Sequence, residues 1–405
     1  MKKGWPTKTL GDVCEVFTDG DWVESKDQSS EGIRLIQTGN VGEGVFKDRA
    51  EKARYISEAT FKRLRCTEIV EGDCLVSRLP DPVGRSCILP DTGERMITAV
   101  DCTILRFNPK QLLPTFFNLY SQSDDYLTTV AKECTGTTRN RISRSNLGLT
   151  PIPVPPLAEQ QRIVGLLDEA FEGLATAKAN AEKNLQNARA LFESHLQSVF
   201  TQRGPGWVEK PLAELCDSSR VITYGVIKLG DETADGVPCL RTSNVRWLRI
   251  ETEGMKRIAP SLSSEYSRTI LKGGEVLVNV RGTLGGVAVA GPEMAGWNVS
   301  REVAVVPVNS SRVNPAFLSY LIGSGTSQHW LGGVKKGAAY IGINIEDLRL
   351  LPVNAPKVEM QLEVVEHLDS LQEETQRLVR LYERKHAALE ALKKSLLHQA
   401  FTGAL

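Results

Sequence analysis

Between residues 364 and 399, positions suited to a packed face recur at alternating steps of four and three: Val364, Leu368, Leu371, Thr375, Leu378, Tyr382, Lys385, Leu389, Leu392, Leu396 and Gln399. This spacing predicts a long helix with a heptad seam. A similar seam, richer in alanine, runs through Ile163, Leu167, Ala170, Leu174, Ala177, Ala181, Leu185, Ala188, Phe192, Leu196 and Val199. Each stretch is free of proline for about 40 residues, so each helix spans roughly 60 Å. A domain of ordinary size cannot cover such a length. The linker TQRGPGW, 201 to 207, leads through a whole domain before the second helix begins, and the two helices are expected to pair as an intramolecular antiparallel coiled coil.

Ahead of each helix the pattern changes to short apolar runs broken by Gly, Pro and Asp. IRLIQTGNV, CLVSRL and CTILRF in the first half and EVLVNVRG and VAVVPV in the second read as strands. The proline-containing stretches PIPVPP, 151 to 156, and LPVNAP, 351 to 356, close each domain before its helix. The fold class expected is α/β: two globular domains of mixed, β-rich structure, each followed by a long helix. The boundaries read as 1–156, helix 157–201, linker and second domain 202–356, and helix 357–405.

The two halves are copies. A shift of about 201 residues brings Trp5, Lys8, Leu10 and Cys14 close to Trp207, Lys210, Leu212 and Cys216. Thr38-Gly-Asn40-Val41 matches Thr242-Ser-Asn244-Val245, and Gly72-Asp-Cys-Leu75 matches Gly274-Glu-Val-Leu277. In the tails Leu147 falls on Leu348, Pro151 on Pro352, Pro155 on Pro356, Gln160 on Gln361, Val164 on Val365 and Phe200-Thr201 on Phe401-Thr402. Order and spacing are both kept, which makes the chain an internal duplication with a pseudo-twofold repeat.

Composition changes this picture little. With 405 residues, 41% hydrophobic and 24% charged, two soluble domains are the natural expectation. No stretch approaches the roughly 18 apolar residues of a membrane span, and the lysines of the opening MKKGWPTKTLGDV are not followed by the apolar run of a signal peptide, so the expected address is the cytoplasm. The eight cysteines form no CxxC pair and the five histidines are scattered, so buried free thiols and no metal site are expected. A formal net charge of +0 speaks mildly against nucleic acid, although a basic groove can sit within a balanced total.

Motifs for chemistry are missing. There is no GxxxxGK[ST] loop, and no GxGxxG follows a strand. The one double proline, Pro155-Pro156, lacks the asparagine and aromatic neighbours that an adenine methyltransferase places around a flipped base. Pro90-Asp91 with Glu94 lacks the lysine that would complete a nuclease site.

The opening tryptophan and leucine, TGNV, the GTTRNRIS segment and PIPVPPLAEQQRI, followed by the long helix and the whole order again, resemble the specificity subunit of type I restriction-modification enzymes. In the second copy VEMQLEV, 358 to 364, keeps only Gln361 of this junction. The resemblance implies two target recognition domains, each reading one half of a bipartite double-stranded DNA site, with the paired helices as a ruler. It also implies a non-catalytic subunit that docks two methyltransferase subunits and then restriction subunits. S-adenosylmethionine, ATP and magnesium belong to those partners, and this chain needs no cofactor.

Candidate DNA contacts begin with TGTTRNRISR, 135 to 144, where Arg139, Arg141 and Arg144 offer charge beside small residues. Its counterpart KKGAAYIGIN offers Lys335, Lys336 and Tyr340, although Tyr340 equally suits a core. Thr38, Asn40, Thr242 and Asn244 recur in both halves and either shape a shared turn or position phosphates. Arg78, Arg85, Asn279 and Arg281 lie where strands give way to loops and either read bases or form salt bridges. The copies differ at these places, so an asymmetric target is expected. A self-sufficient enzyme with a degenerate loop and a duplicated adaptor without a DNA role are the competing readings. S-adenosylmethionine binding by the isolated chain would favour the first, and absence of DNA affinity the second.

Overall fold

The computed structural model describes residues 4–136, 140–336 and 342–405. Both long helices form, Leu157–Thr201 and Val358–Thr402, each of 45 residues. Contacts divide the chain into two compact units, one made of residues 1–182 with 384–405 and the other of 183–383. Each unit therefore contains one β-rich domain, the first part of the helix that follows it and the last part of the other helix.

In the first unit an antiparallel sheet takes the order Cys14–Asp19, Cys102–Phe107, Cys74–Ser77, Ser86–Ile88. A second sheet takes the order Tyr55–Ile56, Ile33–Ile36, Met96–Thr98, Glu68–Ile69, with its two central strands parallel. Thr7–Thr9 pairs with Pro151–Pro153 and ties the domain's opening to its close. The second unit repeats the first sheet as Thr223–Tyr224, Val303–Val306, Val276–Asn279, Val287–Val289, and the tie as Val208–Pro211 with Pro352–Ala355. Its second sheet has three strands, Lys256–Ile258, Val237–Leu240 and Asn298–Val299. The central strands carry near-continuous runs such as VLVN and CLVS and are buried along their whole length, as expected of strands covered on both faces.

The helix ends explain the repeated aromatic positions. Phe401 meets the rings of Phe116 and Tyr120 at 5.4 and 5.0 Å, and Trp5 packs on Phe116 at 6.3 Å. In the other unit Phe200 meets Phe317 at 5.4 Å and Trp207 at 6.2 Å. Each domain's core is thus completed by a phenylalanine from the end of the other domain's helix.

Within each unit the helices run antiparallel. Arg162 donates to the carbonyl of Leu405, and Lys178 pairs with Glu390. In the second unit Arg189 pairs with Glu383 at 2.9 Å. The alanine-rich seam is buried or half-buried throughout, but in the last helix Lys385 and Leu392 are exposed while His386 and Lys393 turn inward. An undistorted helix has 3.6 residues per turn and drifts by about 20° per heptad from a strict 3.5-residue repeat, so over successive heptads the buried face moves toward the next position.

Candidate nucleic-acid interface

The recurring TGN and TSN turns are built from buried asparagines. Asn40 Oδ1 accepts from the Gln37 amide at 2.9 Å, and its Nδ2 donates to the carbonyls of Lys47 and Asp48 at 2.8 and 2.9 Å. Asn244 repeats this, accepting from the Arg241 amide at 3.0 Å and donating to Glu251 O at 3.0 Å. Both are nearly inaccessible, so of the two readings left open for them the geometry favours the shared turn. Thr38 and Thr242 are half-buried, and their carbonyls take part in the same construction.

That construction differs between the copies. In the first, Arg85 donates to Val41 O (2.7 Å), Thr38 O (2.9 Å), Leu79 O (2.7 Å) and Pro82 O (3.0 Å). In the second, Asn279 Nδ2 reaches the matching carbonyls of Val245 (3.0 Å) and Thr242 (3.4 Å). Glycine stands at Gly286, the hairpin position that Arg85 occupies in the first copy, and an added Cβ there would lie 2.2 Å from Asn279 Nδ2. Two different side chains satisfy one pair of buried carbonyls. Arg85 and Asn279 are thereby committed inward, and burial lowers the Arg85 pKa.

The outward-facing candidates gather where the first sheet of each domain ends. In the first unit the loop that begins at Thr135 returns at Arg141, and the two residues exchange backbone hydrogen bonds of 2.9 Å. Arg78 lies beneath it, 3% exposed. Its guanidinium donates to Val100 O (2.6 Å) and Ile142 O (3.3 Å) and pairs with Asp19 at 3.1 Å. Desolvation lowers its pKa, opposed by Asp19, and its contacts hold the loop's base. Arg141 is half-exposed and pairs with Asp101 at 2.9 Å. Arg144 opens a short helix, Arg144–Gly148, capped by Ser143, and points to solvent. Arg139 lies outside the described residues.

In the second unit Lys336 and Gly342 make the equivalent backbone exchange at 2.9 and 3.0 Å, and Ile343 N donates to Val280 O at 2.7 Å. Lys335 is exposed, and Lys336 pairs with Asp347 at 2.9 Å. Arg281 stands 5.5 Å from the centre of the Tyr224 ring. Tyr224 pairs with Ala304 as Asp19 pairs with Thr103, so Tyr224 stands where Asp19 does, and Arg281, one residue beyond the counterpart of Arg78, makes a cation–π contact with it. Tyr340 lies outside the described residues. The structure therefore brings Arg141 and Arg144 together, and Arg281 with Lys335 and Lys336, at equivalent edges of the two domains.

Sequence reasoning passed over Tyr224, Asp19 and Asp101, whose roles appear only from strand register. It also passed over Trp22, which is 69% exposed three residues beyond Asp19. A tryptophan inside the polar run TDGDWVESKD was the available signal. Among the described residues no three His, Cys, Asp or Glu side chains are grouped to hold a metal, and no helix is long and apolar enough to cross a membrane.

A β-rich domain present twice, each copy followed by a 45-residue helix, defines a duplicated two-domain protein. The chain belongs to the family of the type I restriction modification DNA specificity domain, whose model matches residues 2–185 and again 206–384. The specificity subunit of the Escherichia coli type I restriction enzyme EcoBI is 24% identical over 308 residues, 71% of this chain and 65% of that protein. A putative type I restriction enzyme MjaX specificity subunit of Methanocaldococcus jannaschii is 21% identical over 100% of this chain and 94% of its own length. Among solved structures, a chain from a study of complex assembly and conformational transition of the type I R-M system superposes with a TM-score of 0.78 at 20% identity, covering 100% of this chain and 99% of its own. The HsdS subunit from Thermoanaerobacter tengcongensis does so at 0.60 and 21% identity, with 100% and 98% covered. The resemblance seen in the sequence is thereby shown.

Proposed function

We propose that the chain reads an asymmetric, bipartite double-stranded DNA site and carries no catalysis of its own, the chemistry residing in methyltransferase and restriction subunits that dock on it. The observation that carries this reading is the pair of equivalent loop edges with different side chains: Arg141 on Asp101 with Arg144 three residues on in one domain, Arg281 on Tyr224 with Lys335 in the other. Equal placement suits two half-sites, and unequal chemistry suits two sequences. Arg139 and Tyr340, between these residues in sequence, complete the proposed contacts. Thr38, Asn40, Thr242, Asn244, Arg78, Arg85 and Asn279 act from below by fixing the loops.

A pseudo-twofold chain offers equivalent surfaces to two copies of one partner. Each unit carries a groove between its domain and its helices, of about 450 Å³ in the first and 670 Å³ in the second. Phe171, Lys178 and Lys393 line the first groove where Gln372, Val379 and Phe192 line the other. Such grooves suit two methyltransferase subunits. The S-adenosylmethionine, ATP and magnesium of the reaction are assigned to the partners.

Filter binding with the methyltransferase subunit present is expected to show an affinity that falls steeply with salt. Absence of salt-sensitive affinity for any DNA overturns the reading. Methylome sequencing of cells with and without the gene reads out the target.

A further inference from the structure

In the unit 183–383 two histidines from different helices face one another. The Nε2 atoms of His195 and His367 are 2.9 Å apart and their ring centroids 4.9 Å. His367 is exposed and His195 half-buried. The contact is a single hydrogen bond, one imidazole donating and the other accepting, and it joins residues 172 apart in sequence.

We propose that this pair is a two-histidine site for a divalent transition ion of the zinc, nickel or copper class, which clips the two helices together in this unit. Neutral imidazole nitrogen is a preferred ligand for these ions. With metal–nitrogen bonds of about 2.0–2.1 Å, adjacent ligands in tetrahedral or octahedral geometry stand roughly 2.9–3.3 Å apart. The observed separation falls in that range, so small ring rotations suffice to aim both lone pairs at one ion. Water completes the coordination, which leaves the ion exchangeable.

The duplication supplies an independent argument. At the shift of 201, His195 corresponds to Leu396 and His367 to Leu166. The first unit carries two leucines at these places, Leu396 packed against the core and Leu166 exposed. The histidines of the second unit are therefore not demanded by the architecture. Thiols compete poorly, since six of the eight cysteines are buried in the folded chain. The proposal is independent of the DNA reading.

The test uses the untagged full-length chain titrated with Zn²⁺ and Ni²⁺ by calorimetry, followed by thermal melting, with Cu²⁺ electron paramagnetic resonance reporting nitrogen ligands. One ion per chain is expected, with melting raised by about 2–4 °C or more at ion concentrations well above the Kd. The double variant His195→Leu, His367→Leu copies the first unit's residues. It is expected to fold, to melt like the native chain without ion, and to lose both the stoichiometric binding and the shift. Equal ion-induced shifts in the native and double-leucine chains, or no one-to-one binding by the native chain, overturn the proposal. Should the double variant fold poorly, His367→Gln keeps a polar surface residue and is expected to weaken binding at least tenfold. Unchanged affinity in that variant overturns the proposal equally.

Discussion

Gln160 and Gln361 make the same hydrogen bonds at corresponding places in the two copies. Each is fully buried at the start of a long helix. Gln160 Oε1 accepts from the Leu113 amide at 2.8 Å, and its Nε2 donates to Gln111 O and Pro155 O, both at 2.8 Å. Gln361 accepts from Asn314 N at 2.7 Å and donates to Pro356 O at 2.8 Å and Arg312 O at 3.5 Å. One side chain thus pins the helix start to the loop that precedes the last helices of its domain. Gln361 is kept where the rest of the junction has changed; of its replaced neighbours, Glu159 pairs with Arg162 one turn on and Gln161 is exposed.

Replacing either glutamine by alanine strands a buried amide and two carbonyls, at about 1–3 kcal/mol for each unsatisfied group. Gln160→Ala and Gln361→Ala are each expected to lower stability by roughly 2–4 kcal/mol in urea unfolding. A loss below about 0.5 kcal/mol, the usual range of a surface substitution, contradicts the pinning role.

The Arg85 and Asn279 arrangements are alternative solutions to one problem, and their sensitivities differ. Arg85→Ala removes four hydrogen bonds from a buried site and is expected to cost about 3–5 kcal/mol. Gly286→Ala, conservative by composition, puts a Cβ 2.2 Å from Asn279 Nδ2 and 2.3 Å from Val245 O. It is expected to destabilise the second unit severely, whereas the same substitution at Gly165, which has open space around it, leaves the melting temperature unchanged or slightly raised. Equal melting of the two glycine variants sinks the argument.

Thiol chemistry follows burial. Desolvation raises the Cys14, Cys102, Cys216 and Cys239 thiols to about 12, and burial together with Asp21 raises Cys66 to about 11. A raised pKa keeps the thiol protonated at neutral and mildly alkaline pH, and the thiolate is the nucleophile. The folded chain is expected to react slowly with Ellman's reagent at pH 8 and to expose all eight thiols in denaturant. A fast-reacting thiol among these five in the folded chain refutes it.

At the loop edge the expected effects fall on DNA and not on folding. Arg141 is half-exposed beside Asp101, and such surface pairs contribute about 0–1 kcal/mol. Arg141→Ala and Arg144→Ala should therefore melt like the native chain while weakening DNA binding. A phosphate contact lowers the salt slope by about one for every sequence, and a base contact relaxes specificity at one position. Native affinity and specificity in both variants remove these arginines from the interface.

The legible part of the sequence was whatever repeats locally or across copies. Heptad spacing gave both helices, and the register of Trp5, Gln160 and Phe200 with Trp207, Gln361 and Phe401 gave the duplication. The same logic singled out Asn40 and Asn244 but left open whether they shape a turn or position phosphates. What stayed hidden depends on partners distant in sequence. Nothing near Arg85 announces that its acceptors are Thr38 and Val41, and nothing near His195 points to His367. Base reading and ion pairing were both open for Arg78 and Arg85 in the sequence; the structure buries both, Arg78 on Asp19, Val100 and Ile142 and Arg85 on the carbonyls of Thr38, Val41, Leu79 and Pro82. The slip of the last helix's seam at Lys385 arises from helical pitch accumulated over many turns, which a strict seven-residue count does not follow.

The helices themselves carry the sharpest prediction of the proposed function. Residues 180–186 and 381–387 occupy equivalent stretches of the two helices, and removing both deletes one heptad from each while keeping the seams in phase. Seven residues are about 10 Å of helix, or roughly three base pairs at about 3.4 Å each. If the paired helices set the distance between the DNA-reading domains, the deletion variant should methylate sites whose half-sequences are unchanged and whose spacer is shorter by roughly three base pairs. Methylome sequencing measures both quantities at once. An unchanged spacer with intact half-sites rules out the helices as the ruler, and altered half-sites show that the loops, not the helices, absorbed the deletion.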